Sequence, residues 1–337
     1  MKAMVVHAPG APLSAEERKI PMPGRGEIRM KVHACGICHS DQLVTNGIWP
    51  NLALPRVPGH EVAGVVDAIG ADVTRFEPGD RVGIGWHGGH DGTCDRCLTG
   101  HFIFCRNARI TGISFDGGYQ EFLLAPEVAF APIPRELEFS EAAPLLCAGM
   151  TTFNALRNAP ARSGDLVAVH GLGGLGHLGV QYAAAMGFEV AAISRGTDKE
   201  GFAKSLGAHH YFDSSRKDVT EAMQALGGAK VILATAPHAA SIAALIPALG
   251  VEGCLLIVAA PFEPMPVGAT DLIGRDARIQ GWASGTARDS AEAMKFAVRH
   301  GVRPMIERFP LSDAHKALAA MQKGTVRFRA VLDVAAT

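Results

Sequence analysis

One stretch restricts the fold of this chain more than any other. Leu166-Val167-Ala168-Val169-His170 is a short apolar run, followed at once by Gly171-Leu172-Gly173-Gly174-Leu175-Gly176 and then by a helical stretch from Leu178 to Met186. A strand, a G-x-G-x-x-G loop and a helix in that order let the backbone approach a pyrophosphate closely. The phosphate rests at the helix N-terminus, where free N–H groups and the helix dipole favour negative charge. Gly171, Gly173, Gly174 and Gly176 are therefore the expected cradle of a dinucleotide. A second unit follows, with a strand from Glu189 to Ile193, a helix from Lys199 to Leu206, and Gly207 closing that helix. Further strands are expected at Val231 to Thr235 and Gly253 to Ala260, with a helix from Ala239 to Leu249 between them. Strands that alternate with helices build a doubly wound parallel sheet, the α/β arrangement.

The first third of the chain has a different rhythm. Ile28, Met30, Val32 and Ala34 alternate with Arg29, Lys31 and His33, the period of two of a strand with one inward face. Short apolar segments at Val62 to Ile69 and Arg81 to Trp86 are punctuated by Gly70, Pro78-Gly79-Asp80 and Gly88-Gly89, as expected of an irregular β barrel or sandwich. A chain of 337 residues is long for one core, so two domains are expected.

Two groups of side chains have metal-site chemistry. Gly36-Ile37-Cys38-His39-Ser40-Asp41 and Gly59-His60-Glu61 place a thiolate and an imidazole in one region, which suits Zn²⁺. Three protein ligands with one open position make a catalytic site. The third ligand must come from elsewhere, and Cys147 is the best candidate because it lies just ahead of the nucleotide-binding unit. The second group runs through Asp91-Gly92-Thr93-Cys94-Asp95-Arg96-Cys97 to Cys105. Two-residue gaps let consecutive ligands wrap one ion, and three sulfurs leave a tetrahedral position that the Asp91 carboxylate can fill, with His87 and His90 as fallback donors. A closed four-ligand site of this kind clamps a loop and contributes to folding. Seven cysteines in this spacing do not read as a disulfide framework, and Cys254, alone in an apolar strand, reads as core.

Composition excludes other partners. The formal net charge is −1 and there is no Lys/Arg-rich run, so nothing points to a nucleic-acid or anionic-membrane surface. Met1 to Pro12 lacks the apolar core of a signal peptide, and no apolar run reaches the ~18 residues of a membrane span. A cytoplasmic chain with a small-molecule partner is expected.

With these residues in place, the chain resembles the zinc-dependent alcohol dehydrogenases of the medium-chain dehydrogenase/reductase superfamily over essentially its whole length. The resemblance rests on Gly36 to Asp41, on Gly59-His60-Glu61 followed by Gly64, on the cysteine lobe, on Leu146-Cys147-Ala148-Gly149 and on the glycine loop, all in the family's order. It implies a chaperonin-10-like β-rich catalytic domain formed by residues 1–148 and 286–337, with a Rossmann dinucleotide-binding domain, residues 149–285, inserted between them. It implies that Cys38, His60 and Cys147 hold the catalytic zinc, that Asp41 orients His60, that Glu61 lies close to the metal, and that Ser40 accepts the alcohol proton. His39 and Arg329 match positions facing the cofactor pyrophosphate. Trp49 and Trp86 match positions that narrow the substrate channel and favour slim primary alcohols. Two departures stand out: Leu43 where several members carry a proton-relaying His, and Asp91 where Cys is the usual structural-zinc ligand. The implied activity is hydride transfer between a primary alcohol or aldehyde and a nicotinamide cofactor, in a homo-oligomer, dimer or tetramer. Polyol, cinnamyl-type and formaldehyde-type dehydrogenases using NAD are the alternatives within the superfamily. A zinc-less, non-enzymatic dinucleotide-binding protein is the remote one.

The coenzyme is read from the end of the second strand, about 20 residues beyond the glycines, where an NAD-preferring unit carries Asp or Glu for the ribose hydroxyls. Here Ser194 and Arg195 occupy that place, Asp198 falls too late and Glu189 too early. A hydroxyl and a guanidinium can hold a 2′-phosphate that a carboxylate repels, so NADP(H) is expected over NAD(H).

Overall fold

The computed structural model describes residues 1–216, 219–261 and 263–335, so Ala336 and Thr337, the last two of the expected C-terminal segment, lie outside the described residues. The chain divides into two compact units. One comprises Met1–Met150, Gly285–Arg299 and Arg303–Thr337, and the other Thr151–Ser284 with His300–Val302.

The first unit is built on a seven-stranded sheet. Its path runs Ile306–Pro310, Arg329–Asp333, Glu27–Gly36, Glu61–Ile69, Arg81–Ile84, Phe130–Pro132, and Phe122–Pro126 adds to Glu27–Gly36. The alternation read in the sequence appears as burial, with Ile28, Met30, Val32 and Ala34 inside while Lys31 is exposed. Ile28, Met30 and Val32 meet Val62, Val66, Val82, Ile84 and Leu123 in one core cluster. Glu27–Gly36 is the central strand and the longest of the sheet, with antiparallel partners along both of its edges.

The second unit holds a six-stranded sheet in the order His210–Asp213, Glu189–Ser194, Leu166–His170, Ala229–Ala234, Leu249–Ile257, Arg278–Gly281. Every pairing in it is parallel. Numbered by sequence the order is 3-2-1-4-5-6, and it reverses beside Leu166–His170, the place where open α/β sheets bind ligands. That strand is buried along its whole length, as a strand covered on both faces must be. Cys254 is fully buried in its strand.

One expected helix is shorter than its apolar pattern. The helix from Ala239 stops at Ala243, a 3₁₀ turn follows over Ile246–Ala248, and Leu249 already starts the next strand. Pro247 has no N–H to continue the helical ladder, and Leu249 pairs with Ala229 instead.

Candidate active site

Strand register assembles the first cluster. Gly36 lies opposite Glu61 and Cys35 opposite Val62 in the antiparallel pair, so the turn after Gly36 brings Cys38 beside His60 and Glu61. On the other edge Val331 pairs with Gly36, which carries Arg329 to the same end of the sheet. Gly36 is needed here for space, since a Cβ on it would overlap the Glu61 Oε2 atom. Cys147 arrives from a different element. The helix Phe139–Pro144 runs into a π turn over Leu145–Gly149, a wider turn often found at functional sites.

Cys38, His60, Glu61 and Cys147 each offer a ligand atom, and these atoms all lie within 4.8 Å of one another. His60 and Glu61 are buried, and Cys147 is partly exposed. Asp41, 1% exposed, orients the imidazole: its Oδ1 lies 3.0 Å from His60 Nδ1, and its Oδ2 accepts the Cys38 amide at 2.9 Å. With Nδ1 engaged, His60 Nε2 is a buried nitrogen with no hydrogen-bond partner among the described residues. A buried lone pair among two sulfurs and a carboxylate is the donor set that suits zinc, so the residues fit a bound ion. Asp41 Oδ2 has a second donor that the sequence did not reveal. The Tyr119 hydroxyl donates to it at 2.9 Å from a fully buried ring.

Charge in this cluster is strongly coupled. The Cys147 hydrogen bond, together with His60 and Arg329, pulls the Cys38 thiol well below its usual range. The same bond, with burial, pushes Cys147 well above. Burial pulls His60 down, but Asp41 and then Cys38 outweigh it and the net shift is upward. Burial also lifts Glu61 to about 7 against the pull of Arg329. Glu61 Oε1 and Arg329 Nη2 form a direct ion pair, both side chains buried. Arg329 Nε and Glu61 Oε2 have no hydrogen-bond partner among the described residues.

Around this centre Ser40 is partly buried in the 3₁₀ turn His39–Asp41, and His39 is exposed. Trp86 packs edge-on against His60 with ring centroids 5.0 Å apart, and Trp49 packs against Trp86 at 5.9 Å. Leu43, partly buried, presents no titratable group.

The second cluster joins Asp91, Cys94, Cys97 and Cys105, again with ligand atoms within 4.8 Å of one another. The Cys94 and Cys105 sulfurs are 3.9 Å apart. Amides of Cys94 and Thr93 and the Asn107 side chain hold the Asp91 carboxyl well below the usual range. Desolvation and the neighbouring Cys105 and Cys94 push the Cys97 thiol up to about 12. The donor set, three sulfurs and one carboxylate oxygen, fits a tetrahedral zinc. His87 and His90 instead face each other, Nε2 to Nδ1 at 3.1 Å.

In the other unit the helix after the glycine loop spans Gly176–Ala185, starting two residues before and ending one before its apolar pattern suggests. A Cβ on Gly176 would overlap the Gly171 carbonyl oxygen, whereas one on Gly173 would meet nothing within 4 Å, so the loop is tight at its end and open at its centre. Gly174 is partly exposed. Ser194 ends the second strand, buried, in register with Asp213. Arg195 is exposed. The Asp213 carboxylate, on the neighbouring strand and not singled out by the sequence, accepts the Gly196 amide at 2.7 Å and the Ser215 amide at 2.9 Å. Ser215, the Gly196 amide and the Arg216 charge keep its carboxyl below its usual range.

Comparison with known proteins gives a consistent result. Residues 24–135 match the alcohol dehydrogenase GroES-like domain, and residues 174–299 match the zinc-binding dehydrogenase family. The chain is 46% identical over 331 residues to the alcohol dehydrogenase patD of Penicillium expansum, covering 98% of this chain and 97% of that protein. It is 38% identical over 336 residues to an alcohol dehydrogenase of Geobacillus stearothermophilus, covering 99% and 100%. A solved cinnamyl alcohol dehydrogenase from Sorghum bicolor superposes with a TM-score of 0.91 at 32% identity, covering 100% of this chain and 98% of that one. Two matching domains in order, two clusters of zinc-type donors, and relatives matched along nearly the full length make this chain a member of the zinc-binding, NAD(P)-dependent alcohol dehydrogenases of the medium-chain dehydrogenase/reductase superfamily, with a GroES-like catalytic domain and a Rossmann domain.

Proposed function

We propose that the enzyme interconverts primary alcohols and aldehydes, prefers NADP(H), and carries two zinc ions per chain. Cys38, His60 and Cys147 hold the catalytic ion with one position open, and Asp91, Cys94, Cys97 and Cys105 hold a closed, structural one. The observation that supports this most directly is the buried, unpartnered His60 Nε2 amid the Cys38, Glu61 and Cys147 donors. When bound, zinc supplies Lewis-acid polarisation of the alcohol or carbonyl oxygen, and the nicotinamide takes up or returns the hydride.

The chain's own residues do the rest. Asp41 accepts from His60 Nδ1 and so fixes the tautomer that leaves Nε2 as the ligand. Ser40, two residues past Cys38, accepts the proton of the alcohol. Leu43 cannot pass that proton on, so it leaves through water. The Glu61–Arg329 pair places a compensated charge beside the thiolates, and Arg329 Nε remains available as a donor to a cofactor phosphate, as does exposed His39. Trp86 and Trp49 form an aromatic wall at His60 that excludes water and narrows the approach to slim substrates. An alcohol panel separates this reading from polyol, cinnamyl-type and formaldehyde-type specificity.

The coenzyme reading rests on charge. Arg195 is exposed with no partner among the described residues, and the nearby acid Asp213 is engaged by its own loop and balanced by Arg216. Ser194 and Arg195 therefore offer a hydroxyl and a guanidinium to a 2′-phosphate. The test compares kcat/KM for both coenzymes in the wild type and in Ser194→Asp, alongside elemental analysis of zinc. Two zincs per chain, a preference for NADPH, and a shift toward NADH in the variant are expected. A wild type that favours NADH, or a ratio unmoved by the substitution, refutes the coenzyme assignment. Cys147→Ala should remove turnover and one zinc, and retention of both zincs refutes the ligand set.

A further inference from the structure

In the cysteine lobe the Asp91 carboxylate is held from two sides. Oδ1 accepts the backbone amides of Thr93 at 2.8 Å and Cys94 at 3.0 Å, the arrangement that starts the knuckle. Oδ2 accepts the Asn107 side-chain amide at 2.7 Å. Only an NH₂ can face a carboxylate in this way, so the orientation of the Asn107 amide is fixed by its partner. Asn107 also touches the cluster a second time, since its backbone N–H points at Cys105 Sγ, 3.3 Å away. The Asp91 amide does the same at 3.4 Å.

Asn107 is exposed. A hydrogen bond in that setting is exchanged readily with water and adds little to folding, so its consequence is directional. A thiolate presents one sulfur at the end of one rotatable bond. A carboxylate presents two oxygens whose plane turns about Cβ–Cγ, and the two amides on Oδ1 fix only one of them. The Asn107 amide sets the plane and so decides how the carboxylate is turned toward the three sulfurs.

We propose that Asn107 is a positioning residue for the lobe metal, locking the Asp91 carboxylate into the orientation in which an oxygen can replace the fourth sulfur of a zinc knuckle. The inference rests on the reading that the lobe binds zinc. The two fail differently.

The test uses the full chain carrying Cys147→Ala, in which the lobe is the only complete ligand set among the described residues, and measures zinc affinity by competition with a chromophoric chelator. Four forms are compared: Asp91 or D91C, each with and without N107A. With Asp91 present, N107A should weaken lobe zinc by about 10- to 100-fold, the usual effect of removing a hydrogen-bond partner of a ligand. With D91C in place the same substitution should change affinity by no more than about twofold, as for independent sites. Cobalt(II) in the lobe should show ligand-field bands that move on N107A only in the Asp91 form. Equal losses in both backgrounds overturn the proposal, because Asn107 would then support the loop whatever the fourth ligand is. No loss in the Asp91 background overturns it as well. A chain in which Cys147→Ala leaves no zinc at all overturns the lobe reading itself, and this proposal with it.

Discussion

Removing the Tyr119 hydroxyl isolates a single link behind His60. The ring is fully buried, and a Cβ on Gly59 would strike it, so its packing is tight on that side. Tyr119→Phe keeps the ring and opens almost no cavity. What is lost is the 2.9 Å bond to Asp41 Oδ2, leaving that carboxylate with the Cys38 amide and His60 Nδ1. A hydrogen bond to a buried charge is worth about 1.5–3 kcal/mol. Asp41 reaches the ligand set through the His60 imidazole and the Cys38 amide, so the loss should appear as looser orientation of these two residues. Expressed as affinity, the same energy corresponds to about 10- to 100-fold, which matches the usual cost of disturbing a ligand's hydrogen-bond partner. Zinc competition with a chelator, read together with thermal unfolding of the holoenzyme, checks this. The variant should hold zinc at the Cys38, His60 and Cys147 site more weakly and lose kcat/KM while KM changes little. If zinc affinity is that of the wild type and only the thermal midpoint falls, the hydroxyl supports the barrel and not the metal, and the reasoning fails.

Other perturbations have equally definite outcomes. Ser40→Ala should lower kcat/KM by the roughly 10²–10⁴-fold typical of lost proton transfer, and near-normal turnover removes Ser40 from the chemistry. Burial, with the His238 charge as a smaller cause, lowers His170 to about 4. A His depressed in the fold stays neutral there while the unfolded chain takes up a proton, so its contribution is complete above the unfolded value of about 6.5 and is lost as pH falls toward 4. Between pH 8 and pH 5 this amounts to about 2 kcal/mol, and His170→Phe should flatten that part of the stability profile in paired denaturant titrations. Parallel profiles for wild type and variant refute the assignment.

What the sequence could show was whatever lies in local pattern. The alternation from Ile28 to Ala34 carries its own burial, and the strand, glycine loop and helix from Leu166 onward carry a fold class in about twenty residues. Cys94 and Cys97 declare themselves by spacing alone. Tyr119 does not, because its partner Asp41 is 78 residues away and nothing in Gly117-Gly118-Tyr119 signals a buried hydroxyl. The same holds for Arg329, which meets Glu61 across 268 residues through strand pairing that no local window contains. Asp213 was missed for a related reason, since it reaches the end of the second strand sideways, across the sheet, and not along the chain. The helix from Ala239 shows the opposite error: a mostly apolar pattern runs on past Pro247, whose missing N–H cannot continue the helical ladder.

Gly36 shows how far these long-range contacts depend on one backbone position. It pairs with Glu61 on one side and Val331 on the other, so three strands meet at a residue with no side chain. In Gly36→Ala the new methyl would overlap Glu61 Oε2. The far end of a flexible side chain can usually yield, but Glu61 is fully buried and tied to Arg329, which is itself 5% exposed. Either the ion pair shifts or the strands separate. Overpacking of this kind costs about 1–3 kcal/mol. If the pair gives way, Gly36→Ala should impair catalysis as Glu61→Ala does, and combining the two should add little, because the methyl then occupies the space the carboxylate left. If the strands give way, Gly36→Ala should lose stability that the double variant partly regains, because the carboxylate the methyl strikes is gone. Denaturant midpoints and kcat/KM for the three variants decide between these outcomes. Full activity and stability in Gly36→Ala would show that this junction is looser than its packing implies.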